Sequence, residues 1–215
     1  MKPQLFNLVK MELYSAKKYL MWYFLVPIIY PALIRYESNL SALSYLVCIA
    51  LVGYILCTGF AQSDEKYKTG IMLNTLPVKR KDIINARFIS LYLVYAAITL
   101  VYILSKVILH FAAPNLYDAM NFSVIPAGIL FVSLFHAVQI PLYYLFNIRK
   151  SGIVSMIVLF CLFALIVHFL EQPWIVDILI KMDTIKINIS LLIVAVFIYL
   201  IANSISKIIY RQKEF

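Results

Sequence analysis

Charged residues are scarce in this chain, and their scarcity excludes several classes of protein. Only 13% of the 215 residues are charged and 64% are hydrophobic, whereas a soluble domain is roughly a quarter charged. A soluble domain of this size has too little interior to bury so much apolar surface. The same composition excludes a disordered chain, a coiled coil and a collagen-like fibre. The sequence therefore predicts a protein that crosses a membrane several times.

Glycine and cysteine are also few, which limits the chemistry that the chain can perform. Its five glycines cannot build the glycine-rich phosphate loop of an ATPase, and no zinc-protease motif or serine-nucleophile elbow is present. All three cysteines lie in apolar runs, where packing is their expected role and an exposed disulfide framework is excluded. We therefore expect no enzymatic activity, no metal site and no cofactor in this chain.

Uncharged apolar runs predict an all-α membrane protein with six transmembrane helices. Five runs reach the length of about 20 residues that a spanning helix needs, and the first is shorter and contains two prolines. Residues 4–18 place Phe6, Val9 and Leu13 on one face, which favours an N-terminal interfacial helix; a plain cytoplasmic extension is the alternative. The single transmembrane domain, residues 1–215, has expected spans at about 19–36, 42–61, 88–111, 122–146, 152–171 and 187–206, with a cytoplasmic loop at 62–87.

Basic residues are concentrated on one side of these spans. If both termini are placed in the cytoplasm, the cytoplasmic segments hold 15 of the 19 lysines and arginines. Cytoplasmic loops of membrane proteins carry such an excess. The net charge of +9 is therefore mainly an orientation signal, and it predicts that both termini are cytoplasmic.

Two of the predicted spans carry polar or small residues that invite a functional interpretation. His136 and Gln139 share a face of the fourth span, either as a substrate-path pair or as ordinary hydrogen-bonding groups between helices, and the second interpretation is favoured. Small residues repeat along the second span, where another helix of this chain or of a second subunit can approach closely. This helix-packing stripe consists of Ala50, Gly53, Cys57 and Ala61.

The loop between the second and third spans is the one sizeable polar segment that faces the cytoplasm. It contains an apolar patch, and an exposed patch of this kind needs a partner to cover it. Asp82, near the end of the loop, lies in the first turn of the helix that leads into the third span. Its negative charge suits the positive end of that helix. The patch consists of Ile71, Met72, Leu73 and Leu76.

This loop resembles the first intracellular loop of ABC-2-type transporter permeases. The shared pattern is an acidic residue, a leucine–proline turn and a basic-acidic start of the next helix, found here in Asp64–Lys66, Leu73–Val78 and Arg80–Ile83. The resemblance is to the small six-span bacterial permeases, such as phenol-soluble modulin exporters and antimicrobial-peptide immunity transporters. Lys79 stands where the family has a serine, so the N-terminal cap of the third span is lost.

The resemblance implies that the chain is the permease subunit of an ATP-driven exporter in the bacterial plasma membrane. A separate ATPase subunit would bind ATP and magnesium, and a second permease, identical or different, would complete the transporter. Amphipathic cytolytic or antimicrobial peptides are the cargo that the family suggests. The loop of that family docks on the ATPase, so the resemblance implies a coupling role for Asp64, Glu65, Leu73, Leu76, Pro77, Arg80 and Asp82.

Two other functions remain open at this point. A membrane-embedded peptidase that matures a signalling peptide needs a cysteine–histidine or histidine–glutamate pair near the inner surface. Cys57 lies near that surface, but no histidine is expected beside it, and His168 and Glu171 share a face at the outer end of the fifth span. A membrane sensor or scaffold without catalytic activity would have no ATPase partner.

Overall fold

The computed structural model describes residues 3–33, 38–75, 78–117, 122–146, 148–170 and 184–212. Every regular element in these ranges is an α-helix, which confirms the all-α expectation for the described residues. The helices are α1 (Pro3–Leu33), α2 (Ser38–Tyr67), α3 (Thr69–Thr75), α4 (Arg80–Ala112), α5 (Val124–Leu145), α6 (Ile148–Leu170) and α7 (Thr184–Gln212).

Four of the described helices are long and apolar enough to cross a membrane. They are α2 over Ser44–Asp64, α4, α5 and α7. Helices α1 and α6 carry shorter apolar stretches, Tyr23–Leu33 and Gly152–Leu165. A helix thus occupies each predicted span, while the count of six spans and the cytoplasmic position of the termini stay predictions.

Helix α1 is one uninterrupted helix of 31 residues, which is about 46 Å long at 1.5 Å per residue. Its N-terminal part packs on the other helices through the buried side chains of Leu8, Val9 and Glu12, whereas Phe6 is 59% exposed. The packed face of α1 therefore differs from the predicted apolar face, which included Phe6. An interfacial position for residues 4–18 stays a prediction.

A neighbouring helix satisfies the backbone where proline interrupts the hydrogen bonds of α1. Pro31 has no N–H group for the carbonyl of Pro27, four residues earlier. The hydroxyl of Ser105 on α4 lies 2.9 Å from that carbonyl and 2.8 Å from the Tyr102 carbonyl of its own helix, and its hydrogen bond is shared between the two. Prolines are tolerated in membrane helices when a neighbour supplies such a bond, and α1 accordingly stays helical as far as Leu33.

Helix α4 lies at the centre of the hydrogen bonds between helices. Helix α1 packs along α4 and α5 packs along α7, while α2 contacts both α1 and α5. Besides the bond from Ser105 to α1, side chains of α4 bond to three further helices through pairs whose donors and acceptors are 2.6–3.2 Å apart. The pairs are Tyr102–Ser44 with α2, Tyr92–Ser133 with α5 and Asn85–Asn203 with α7.

The small-residue stripe of α2 lies inside the chain. Ala50 and Ala61 are 4% and 7% exposed, and Gly53 is buried. A Cβ atom at Gly53 would collide with the Tyr95 hydroxyl of α4 and would touch Phe135 of α5. Within the described residues this part of the stripe therefore serves close packing of α2 with its own neighbours.

Candidate coupling site

A short helical hairpin connects α2 to α4. Helix α2 ends at Tyr67, and Lys68 turns the chain with a φ of 48°, a left-handed conformation that is uncommon outside glycine. Helix α3 follows, and α4 begins at Arg80. Residues 62–87, called the hairpin below, thus place α3 as a separate short helix between two long ones.

Arg87 closes the base of the hairpin with a cluster of polar contacts. Its Nη2 atom lies 2.7 Å from Oδ2 of Asp64 on α2 and 3.0 Å from Oε1 of Glu12 on α1. Its Nε atom also donates to Oε1 of Glu12 over 3.1 Å. Tyr143 of α5 donates its hydroxyl to Oδ2 of Asp64 over 2.7 Å. This Arg87 cluster therefore joins four helices: α1, α2, α4 and α5.

The Arg87 cluster is largely removed from solvent. The side chains of Arg87, Glu12 and Asp64 are 8%, 3% and 12% exposed, and buried charges are costly unless they are paired. Burial raises the pKa of Glu12 to about 7. The positive charge of Arg87 opposes this rise, and the negative charge of Asp64 adds to it. The raised pKa favours the uncharged form of Glu12, beside which Arg87 and Asp64 form a pair without net charge.

Helix α3 turns one leucine inward and a methionine outward. Leu73 is only 3% exposed and belongs to the core, whereas Met72 is 61% exposed. The expectation that Leu73 lies on an exposed apolar patch is therefore wrong, because its own chain already covers it. Among the α3 side chains that the structure describes, Met72 is the large apolar one that remains available to a partner.

The start of α4 is bonded to the end of α7. Lys79 is the residue before the helix, and its side chain makes no capping hydrogen bond, as the loss of the family's serine predicts. Asp82 donates its backbone N–H to the Lys79 carbonyl over 2.8 Å. Arg80 donates Nη1 to the carbonyl of Arg211 over 2.9 Å, a favourable place for a cation at a helix C-terminus. Arg80 thus has a contact within the chain that the sequence did not predict.

The predicted coupling residues therefore fall into four groups, one of which lies outside the described residues. Asp64 is engaged in the Arg87 cluster, Leu73 is in the core, and Arg80 and Asp82 lie at the start of α4. Leu76, Pro77 and the side chain of Glu65 lie outside the described residues. The coupling role of all seven stays a prediction, and for Asp64 and Leu73 it has to act through contacts inside the chain.

His136 and Gln139 are both buried in the bundle. Nε2 of His136 lies 3.7 Å from Sγ of Cys57. The expectation that no histidine lies beside Cys57 is therefore wrong, because the small residues of α2 allow α5 to approach. Gln139 lines a cavity of about 30 Å³ together with Cys57 and Arg87, and a cavity of this volume can hold a water molecule. Neither predicted substrate-path residue is among those that line the two cavities of about 450 and 420 Å³ beside α4.

Sequence reasoning missed three members of the Arg87 cluster. From the sequence, Arg87 is only one of the basic residues on the cytoplasmic side, and neither Glu12 nor Tyr143 is linked to this site. One signal in the sequence could have indicated that Arg87 has an acidic partner. Arg87 directly precedes a long uncharged run, and an ionisable group at such a place needs a partner. Glu12 is the only acidic residue before Glu37, which makes it a natural candidate.

These observations define the class of protein. It is a helical, multi-pass membrane protein whose hairpin is attached to the other helices by buried charged side chains. A family model described as ABC-2 family transporter protein matches residues 7–211, and the chain belongs to this family. It is therefore a membrane-spanning permease subunit of an ABC transporter, a type of subunit whose ATPase is a partner protein. Comparisons with curated proteins and with solved structures give no significant match.

Proposed function

We propose that this permease is part of a bacterial exporter that moves amphipathic peptides out across the plasma membrane. A separate ATPase, which binds ATP and magnesium, docks on the hairpin, and a second permease completes the transporter. The observation that carries the proposal is the family match over residues 7–211. The hairpin supports it, because α3 exposes Met72 while Leu73 and Arg87 anchor it to the bundle.

The mechanism is conformational coupling. A partner can shift the equilibrium between two conformations only if its own two states make different contacts with the permease. The ATP-bound and ADP-bound ATPase therefore differ in how they hold α3. The hairpin follows that difference, and the helices attached to it rearrange to open or close the path for the cargo.

Two apolar grooves beside α4 support an amphipathic peptide as the transported substrate. They have volumes of about 450 and 420 Å³ and share Tyr92 and Ile129 in their walls. Helices α5 and α7 complete the first groove, and α2 and α5 complete the second. The described side chains that line them include no charged residue, so the grooves suit the apolar face of an amphipathic peptide better than an ion.

Affinity purification in mild detergent tests the docking of the ATPase. The unsubstituted permease is expected to recover a Walker-motif ATPase. Met72→Asp is expected to lose it, because the change places a charge on the exposed side of α3 without touching the core. Leu116→Asp is the matched control, since Leu116 is also exposed but lies in the turn after the other end of α4. Equal recovery of the ATPase by both variants would contradict docking on α3.

A membrane-embedded peptidase is the second candidate, and the contact between Cys57 and His136 is the observation that favours it. A cysteine beside a histidine can act as a nucleophile–base pair. The adjoining cavity of about 30 Å³ is, however, far too small for a peptide chain. Purification that recovers no ATPase, under conditions that preserve other transporter complexes, would favour this candidate or a membrane sensor over the exporter.

A further inference from the structure

We propose that Arg87 is a positioning residue that joins the hairpin to α1, so that the N-terminal part of α1 moves together with the hairpin. The inference rests on the proposed function, since it takes the ATPase to act on the hairpin. It assigns a role to Arg87 and Glu12, which the loop motif does not include.

Arg87 and Asp64 hold the two legs of the hairpin together. Asp64 lies three residues before the end of α2, and Arg87 lies seven residues after the start of α4. Their separation of 2.7 Å is that of a strong, charge-assisted hydrogen bond. Leu73 of α3 belongs to the same core cluster as Ile83 and Ile84 of α4. A displacement of α3 is therefore passed to the base of the hairpin instead of being absorbed by a loose loop.

Glu12 attaches α1 to the same guanidinium. Two nitrogen atoms of Arg87 lie 3.0 and 3.1 Å from Oε1 of Glu12, and the planar guanidinium restricts the direction of both contacts. Leu8 and Val9, one turn earlier on α1, are buried in the core cluster. The N-terminal part of α1 is thus held by charge and by apolar packing at the same place.

Because the Arg87 cluster is buried, we call it a joint: a contact between α1 and the hairpin that is kept when either of them moves. Withdrawing Glu12 would break both of its contacts with Arg87 and would leave the Nε–H group of Arg87 buried without this acceptor, which is unfavourable. Phe60 covers the guanidinium with its ring centre 5.1 Å from Cζ of Arg87, which further limits access of water. Moving α1 away from the hairpin would therefore cost free energy, whereas moving the two together would not.

Distances between spin labels in the complex with the ATPase test the joint. Tyr14→Cys on α1 and Tyr67→Cys, in the hairpin at the end of α2, replace two exposed side chains, with the three native cysteines changed to serine or alanine. Met72 keeps its side chain, because it is the proposed contact with the ATPase. Pulsed electron resonance then gives the distance between the labels with ATP and with ADP. A second pair, Tyr67→Cys with Leu116→Cys, reports whether the hairpin moves at all. We expect the second distance to change with the nucleotide and the first to stay constant.

Substitutions in the cluster should release α1 from the hairpin. With Arg87→Ala, the Tyr14–Tyr67 distance should become dependent on the nucleotide, and ATP-driven uptake of a fluorescent amphipathic peptide into inside-out vesicles should be lost while ATP hydrolysis continues. Arg87→Lys keeps the charge and should restore part of the uptake, which a loss of folding alone would not explain. Glu12→Ala removes the acceptor that Arg87 contacts on α1 and leaves the pair of Arg87 and Asp64 in place, so it should loosen α1 even if Arg87→Ala does not fold.

Each contrary outcome has a definite meaning. Failure to recover any ATPase overturns the proposed function. If the ATPase binds but the Tyr67–Leu116 distance does not change, the hairpin transmits no movement and the joint is overturned. A Tyr14–Tyr67 distance that changes with the nucleotide when Glu12 and Arg87 are unsubstituted overturns the joint alone, as does a distance that stays constant in Arg87→Lys, Glu12→Ala and Arg87→Ala.

Discussion

At the scale of single residues, the most informative contacts repair local defects of the backbone. Pro31 leaves the carbonyl of Pro27 without its helical partner, and the hydroxyl of Ser105 supplies the missing bond over 2.9 Å. A polar group without a partner is costly where water is excluded. The carbonyl that Pro31 leaves without a helical partner is thus satisfied by one serine on another helix.

Ser105→Ala should destabilise the permease. The change leaves the Pro27 carbonyl without the bond from α4, and hydrogen bonds between membrane helices are worth about 0.6–2 kcal/mol. Thermal unfolding in detergent should show a fall of about 2–4 °C for each kcal/mol lost. Ser204→Ala is the control, because Ser204 donates to the Leu200 carbonyl of its own helix. A midpoint that falls equally in both variants would contradict the role of Ser105.

At the scale of helices, close approach depends on the absence of side chains at defined positions. Gly53 lets Tyr95 of α4 reach α2, and Gly128 lets Tyr45 of α2 reach α5. A Cβ atom at either glycine would overlap the tyrosine ring or its hydroxyl. The contact between Cys57 and His136 lies one turn further along α2. Helix spacing and the buried polar pair are therefore parts of one packing arrangement.

Gly53→Ala should destabilise the bundle, whereas Gly152→Ala should not. The new methyl group at position 53 would meet the buried hydroxyl of Tyr95, and overpacking of this kind typically costs about 1–3 kcal/mol. Nothing lies within 4 Å of a Cβ atom at Gly152, where alanine favours the helix by up to about 1 kcal/mol. Chemical unfolding in detergent gives both values. Equal stability of the two variants would show that α2 and α4 do not approach as described.

At the scale of the whole molecule, the helices could be predicted from the sequence because long apolar runs carry their own signal. The loop motif likewise identified the permease family without any coordinates. The partners of Asp64 could not be predicted, since Arg87 and Tyr143 reach it from two other helices, and the rotation of those helices about their axes leaves no mark in hydropathy. The burial of Leu73 was missed for the same reason: α3 has seven residues, too few to show which face packs inward.

The buried charge of the Arg87 cluster should make the stability of the whole molecule depend on pH. Glu12 faces Arg87 of α4, Asp64 of α2 and Tyr144 of α5, and its pKa rises from 4.5 to about 7. Between pH 4.5 and pH 7 the folded protein therefore keeps a proton that the unfolded chain releases. The contribution of this proton to the free energy of unfolding is complete below pH 4.5 and is lost as the pH rises through 7. The loss amounts to at most about 3 kcal/mol. The unfolding midpoint in detergent should fall between pH 5 and pH 8, and Glu12→Gln should remove most of that fall because glutamine does not titrate. An equally steep fall in Glu12→Gln would place the titrating group elsewhere.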